Sequence, residues 1–292
     1  MRGGAEEPPP NRQIRKSMQT QTPYGKVILA AAGPGDPELV TLKTLRYLQK
    51  ADVVLTDRLV SPDIITEFVS TEAQVIYVGK QCRKGASTPQ SSINDLMVQH
   101  AAEGKLVVRL KGGDVSIFSN ILDELETLVQ HDIPYEIVPG VTAALGAAAY
   151  SGIPLTARNY STAVRFLTYY KSDVVTEAYW QELAQTDDTL VFYMSAERLG
   201  GVVEKLTAHQ IDPEKQLAII EQATTPLQKV HTCNLYEYSK QLSSKKLASP
   251  SLIIIGKVVA LHQQFSWLPN TVETPEEYFK PYQPELQKTG EL

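Results

Sequence analysis

Val27-Ile28-Leu29-Ala30-Ala31-Ala32-Gly33-Pro34-Gly35-Asp36-Pro37-Glu38-Leu39 decides the fold of this chain. A short run of aliphatic and small residues enters a Gly-Pro-Gly-Asp-Pro turn, and a helical pattern begins near Thr41. The apolar run has the length of a buried strand, and the glycines permit a positive φ or a close backbone approach. Taken alone, it fits any strand-to-helix turn. A second such unit, Lys105-Leu106-Val107-Val108-Arg109-Leu110 followed by Lys111-Gly112-Gly113-Asp114, points to a shared pocket. In an open α/β sheet, ligands gather at the carboxyl ends of strands.

Neither turn fits a nucleotide signature. A G-x-G-x-x-G beginning at Gly33 would need glycine where Glu38 stands, and neither turn ends in G-K-[ST]. From residue 26 to about 140, strands alternate with helices. The strands are expected at Val27–Ala32, Asp52–Thr56, Gln74–Val78, Leu106–Leu110 and Tyr135–Val138. The helices are expected at Thr41–Gln49, Pro89–Glu103, Asn120–Gln130 and Thr142–Tyr150, with Thr41 and Thr142 as N-caps. This alternation predicts an α/β fold with a mostly parallel sheet covered on both faces. After a Gly/Pro linker near Ser151–Tyr160, a more strand-rich part predicts a mixed sheet. Its strands are Val164–Thr168, Thr189–Tyr193, Leu217–Glu221, Gln228–Thr232 and Leu252–Val259; its helices lie near Thr176–Ala184, Glu197–Ala208 and Leu235–Leu242. The division is therefore an extension at 1–25, α/β domains at 26–152 and 153–265, and a mobile tail at 266–292, with the site in the cleft between domains.

Bulk properties exclude several classes of function. The chain has 292 residues, enough for two cores, with 42% hydrophobic and 21% charged residues, as in ordinary globular proteins. A net charge of −5 disfavours a general nucleic-acid binder. The two cysteines, Cys82 and Cys233, provide no disulfide framework and suit a cytoplasmic setting. No apolar stretch spans a bilayer, and residues 1–22 contain no apolar core of a secretory signal. The five histidines have no ligand spacing, so no metal is expected, and no G-x-S-x-G occurs.

Several motifs occur in a telling order. They are Gly33-Pro34-Gly35-Asp36-Pro37, Asp57-Arg58-Leu59-Val60-Ser61, Val78-Gly79-Lys80, Arg109–Asp114, Val138-Pro139-Gly140-Val141-Thr142-Ala143, Ser151–Thr156 and Val191-Phe192-Tyr193-Met194. From about Val27 to Leu261 the chain resembles the tetrapyrrole methylases, and among their activities most resembles uroporphyrinogen-III C-methylation. The resemblance implies S-adenosylmethionine-dependent methylation at C-2 and C-7 to give precorrin-2, feeding siroheme or cobalamin synthesis, by a homodimer. A precorrin methyltransferase of the cobalamin pathway, diphthine synthase, or a non-catalytic tetrapyrrole or S-adenosylmethionine binder are the alternatives.

By itself, Asp57 at a strand's carboxyl end fits either a general base or a surface Asp paired with an Arg. The resemblance makes Asp57 the proton acceptor and Lys80 the proton donor. Arg109, at the mouth of the crevice, joins them as a clamp for substrate carboxylates, which guanidinium binds in bidentate fashion. Arg58, Arg83 and Arg158 are further substrate candidates, with Lys84 and Arg165 behind them. By resemblance Pro34, Gly112, Gly113, Asp114, Ile117, Thr142, Ala143, Met194 and Ala223 line the donor site. Alone, Met194 would read as core. The segment Val115–Leu122 departs from the family pattern, which continues after Lys-Gly-Gly-Asp with Pro-Phe and a Phe-Gly-Arg-Gly-Gly stretch. Ala157-Arg158 stands for His-Arg, Thr168-Tyr169-Tyr170 for Thr-Gly-His, and Ala223 for Gly. These changes bear on substrate identity and turnover.

Overall fold

The computed structural model describes residues 25–78, 89–169, 175–270 and 277–279. Lys80, Arg83, Lys84 and Cys82 lie outside the described residues. Strand β1 (Lys26–Ala31) is buried at every position after its first. Near-continuous burial of this kind requires cover on both faces, as in parallel sheets. With β2 (Val53–Thr56), β3 (Gln74–Tyr77), β4 (Leu106–Lys111) and β5 (Tyr135–Val138), it forms an all-parallel sheet ordered β3-β2-β4-β1-β5. The chain moves one way from β1 to β2 and β3, then returns through β4 and crosses to β5. The switch in direction therefore falls between the adjacent β1 and β4, whose following loops carry the two glycine turns.

Helices α1 (Leu42–Leu48) and α2 (Pro62–Phe68) cover one face of this sheet, with Leu48 and Ile64 buried against Ile28, Val54 and Val108. Helices α3 (Gln90–Ala102) and α4 (Ile121–Gln130) cover the other, with Met97 and Leu128 against Val27, Leu55 and Val107. Thr41 caps α1, its hydroxyl accepting from Thr44 N at 3.2 Å. The sequence pattern did not reveal α2. Its Pro62 occupies the first turn, where a missing N–H costs nothing.

The second sheet contains β6 (Val164–Thr168), β7 (Thr189–Tyr193), β8 (Gln216–Glu221), β9 (Lys229–Asn234) and β10 (Ser251–Gly256), ordered β6-β7-β10-β8-β9. Only β6 and β7 are parallel; the other pairings are antiparallel, so the expectation of a mixed sheet holds. The expected strand Leu252–Val259 stops at Gly256 and becomes a helical turn, Lys257–Leu261. One face carries α6 (Glu177–Gln185) and α7 (Leu199–Ala208) through Trp180, Leu183, Val202 and Leu206. The other face packs on Ala144, Ala147 and Ala148 of α5 (Ala143–Tyr150). Judged by its core contacts, α5 goes with the second sheet, although it lies before residue 153. No helix among the described residues is long and apolar enough to cross a membrane.

The described parts of the expected tail pack against the body. Trp267 Nε1 donates to Ala149 O at 2.9 Å, and the Asn270 amide pairs with both backbone groups of Val230. Phe279 is buried, and the Tyr278 hydroxyl lies 2.6 Å from Ser61 Oγ and 2.7 Å from Asp63 Oδ2. The Pro/Glu/Lys-rich composition masked these few anchoring aromatics.

Gly146 marks where α5 meets the β1 loop. A Cβ there would lie 2.5 Å from Pro34 Cγ and 3.0 Å from Thr224 Cγ2. Gly146→Ala should therefore cost about 1–3 kcal/mol by overpacking, read from the urea midpoint at constant m. An unchanged midpoint would show that α5 can back away from Pro34 freely.

Candidate functional site

Gly33 and Gly113 exchange backbone hydrogen bonds, Gly33 N to Gly113 O at 3.1 Å and Gly113 N to Gly33 O at 2.7 Å. This isolated antiparallel bridge ties the two turns together just beyond the parallel β1–β4 pairing. Gly113 has φ +70°, and a Cβ there would meet nothing nearer than Ala143 N at 3.7 Å. Glycine is needed for the conformation, and its absent side chain lets the β4 turn lie close to the start of α5. Asp114, 8% exposed, ties loops together. Its Oδ2 accepts from Gly140 N and its Oδ1 from Ser116 N, both at 2.9 Å. Burial disfavours the charged carboxyl, but the donors from Ser116 and Gly140 outweigh it and hold the group below its ordinary range.

The other wall belongs to the second sheet. At the end of β7, Tyr193 Oη lies 2.8 Å from Thr142 Oγ1 and accepts from Ala144 N at 3.0 Å. Thr142 occupies the N-cap position of α5, but its hydroxyl is engaged with Tyr193 rather than capping the helix. The tyrosine supplies the acceptor for an otherwise orphan helix N–H. Burial pushes the Tyr193 phenol up. Met194 follows in a left-handed conformation, φ 53°, with 59% of its surface exposed, so it is no core residue. The β8–β9 loop closes the site. Thr224 Oγ1 accepts from Asp36 N at 3.0 Å, and Ile117, Ala143 and Ala223 pack half-buried on the same apolar cluster. Pro34, Gly112, Gly113, Asp114, Ile117, Thr142, Ala143, Met194 and Ala223 thus belong to loops that the fold brings together.

Asp57 stands one residue beyond β2. Its Oδ1 accepts from Arg109 Nη2 at 2.6 Å, its carboxylate is partly exposed, and its Oδ2 has no protein partner among the described residues. The Arg109 side chain corrects the sequence reading. It is buried, not at the mouth of a crevice, and its donors are committed internally. Nε donates to Glu124 Oε1 at 2.9 Å, and Nη1 to Leu55 O and Leu110 O, both at 3.3 Å. Glu124 is fully buried, and its other oxygen accepts from Lys111 Nζ at 2.8 Å. Burial opposes the Arg109 charge, but Asp57 and Glu124 overcome this and raise its pKa. Burial, with Arg109 beside it, lowers that of Lys111. Arg109 therefore holds Asp57 and is not a substrate clamp.

Arg58 is half-buried in the loop after Asp57; Arg158 is exposed on the Ala157–Ser161 turn. Arg165 is committed to Glu182 and Asp188, each at 2.5 Å. Sequence reasoning missed Lys111, Glu124 and Tyr193. The first two left a signal, since Arg109 and Lys111 at i and i+2 share one face of a buried strand and require a buried anion. Tyr193 left none beyond its place in an apolar strand.

The sequence pattern of the family described as Tetrapyrrole (Corrin/Porphyrin) Methylases matches residues 26–239. The chain is 43% identical over 265 residues to a siroheme synthase of Vesicomyosocius okutanii, covering 91% of this chain and 56% of that protein. It is 45% identical over 253 residues to a siroheme synthase of Nitrosomonas europaea, covering 87% and 53%. The chain thus spans about half the length of the curated relatives it matches. Among solved structures, the uroporphyrin III C-methyltransferase of Thermus thermophilus aligns with TM-score 0.68 at 33% identity, covering 81% of this chain and 100% of that one. A second structure of that enzyme, complexed with S-adenyl homocysteine, aligns with TM-score 0.66 at 33% identity, covering 80% and 93%. A cobalt precorrin-4 methyltransferase aligns with TM-score 0.71 at 27% identity, covering 80% and 95%.

Because Arg109 anchors two carboxylates, Arg109→Leu should destabilise the protein by about 3–5 kcal/mol, the usual loss when one partner of a buried pair is removed. Equilibrium unfolding measures it. A variant as stable as the parent, with weakened tetrapyrrole binding alone, would restore the clamp assignment.

Proposed function

The chain belongs to the tetrapyrrole (corrin/porphyrin) methylase family, and we propose on that premise that it C-methylates uroporphyrinogen III with S-adenosylmethionine as donor. Methylation at C-2 and C-7 would give precorrin-2, the entry to siroheme or cobalamin. The observation that supports the donor assignment is that the turns carrying Pro34 and Gly113 and the β8–β9 loop carrying Ala223 meet at the start of α5, where Thr142 bonds Tyr193 and the next residue, Met194, is exposed. A cradle floored by glycine backbone suits a ligand held by main-chain groups. The relative solved with S-adenyl homocysteine supports the same choice.

The protein residues then divide the work. The glycine turns and the α5 start hold the donor; when bound, it supplies a sulfonium methyl to which an electron-rich pyrrole carbon bonds as the C–S bond breaks. Asp57, fixed through Oδ1 by Arg109, takes up through Oδ2 the proton the macrocycle loses. Lys80 is assigned as the proton donor, and Arg58, Arg83 and Arg158 as contacts for substrate carboxylates. Orientation of the two reactants between two rigid sheets provides most of the acceleration in this reading.

A non-catalytic binder is the second reading, and one observation favours it. In the altered segment, Phe118 and Asn120 take left-handed conformations, φ 51° and 56°, and Phe118 is exposed beside Tyr193 with ring centroids 5.1 Å apart. Incubation with labelled S-adenosylmethionine and uroporphyrinogen III separates the readings. Dimethylated product is expected, and Asp57→Asn should reduce its rate at least about tenfold with donor affinity retained. Binding of both ligands without product would establish the binder; full activity in the variant would remove Asp57 as the base.

We also propose a two-fold homodimer, the commonest soluble assembly. Light scattering should give twice the chain mass at micromolar concentration, and a monomer mass throughout would refute it.

A further inference from the structure

A four-membered ion cluster lies behind Asp57. Arg109 and Lys111 point from the same face of β4, Glu124 meets both from the first turn of α4, and Asp57 closes the set from the end of β2. Two cations and two anions make it formally neutral. Three members are buried, and only Asp57 reaches the cleft. Buried ion networks contribute little net stability compared with apolar packing of equal volume. Stability therefore does not account for this one, whereas its geometry does. Each Glu124 oxygen accepts from a different cation, so the carboxylate cannot rotate without breaking a bond. The Arg109 guanidinium is held by Glu124 and the Leu55 and Leu110 carbonyls, which leaves Nη2 aimed at Asp57.

We infer that Glu124 and Lys111 are positioning residues for the reaction, acting on Asp57 through Arg109 and fixing both its orientation and the charge it faces. The inference rests on Asp57 being the base. Among the described residues, the charged groups packed toward Asp57 are Arg109 and Lys111 from β4 and Glu124 from α4, with Arg58 beside it in its own loop; Asp63 of α2 is turned to Tyr278. Deleting the Glu124 charge leaves two cations against one carboxylate, so protons bind there less readily. Deleting the Lys111 charge does the opposite.

The test is the pH profile of methyl transfer to uroporphyrinogen III in Glu124→Gln, Lys111→Met, the double variant and Asp57→Asn, with S-adenosylmethionine affinity measured on each as a check of folding. The acid limb of kcat should move down in Glu124→Gln and up in Lys111→Met, each by about half to one pH unit. It should return near the parent position in the charge-balanced double variant, while KM for the donor stays within about twofold. A purely structural role would lower activity without displacing the limbs in opposite directions, and that result overturns the inference. Should either single variant fail to fold, the double variant and the remaining single carry the comparison: an unmoved limb in that single overturns the inference. If Asp57→Asn turns over at the parent rate, the base assignment itself falls; if it is inactive while the limbs stay fixed, only the positioning roles fall.

Discussion

Two cations on the central strand of a buried sheet, Arg109 and Lys111, impose the constraint around which the first half of this protein is arranged. A charge in that position must be paired or it cannot fold there. Glu124 is the group that pairs both, so the first turn of α4 must come down on the carboxyl end of β4. An anion in that turn is also favoured by the helix dipole. Arg109 then reaches across to Asp57, which ties the ends of β2 and β4 to α4. The placement of the partly exposed Asp57 thus follows from the neutralisation of residues that are buried.

The glycine turns are organised by other means. There the loops are joined through backbone groups: the Gly33–Gly113 bridge, Gly140 N on Asp114, and Asp36 N on Thr224. Net charge is absent from these ties apart from Asp114, whose carboxylate is spent on loop geometry. Ion pairs set the Asp57 end and main-chain hydrogen bonds the glycine turns, and the two meet at the Lys111-Gly112-Gly113-Asp114 turn.

Much of this was legible in the sequence because it depends on local pattern. Apolar runs of strand length ending in glycine turns located β1 and β4, and the ordered motifs named the family. The periodicity of α4 was visible, but its role was not, because pairing Glu124 with Arg109 is a contact across the fold. The same limit explains Arg109. At the end of a strand it reads as a guanidinium facing the ligand, and only burial shows that its donors are taken. Pro62 hid α2 by looking like a turn, and α5 was assigned by chain order to the first half although its alanines pack on the second sheet. Trp267 and Phe279 were lost in a polar tail because single aromatics leave no period.

The alanine and glycine content of α5 sets what can vary in this architecture. Ala144, Ala147 and Ala148 bury their methyl groups against the second sheet, and Gly146 lets Pro34 approach the helix backbone. With so little side chain in the seam, the separation of the two halves is determined by peptide geometry. Larger residues in α5 would overpack this seam, as a Cβ on Gly146 already would. Divergence in what the cleft accepts must therefore be written in the loops at its rim. That is where Val115–Leu122 lies, running from the Asp114 tie into the first turn of α4, which carries Glu124.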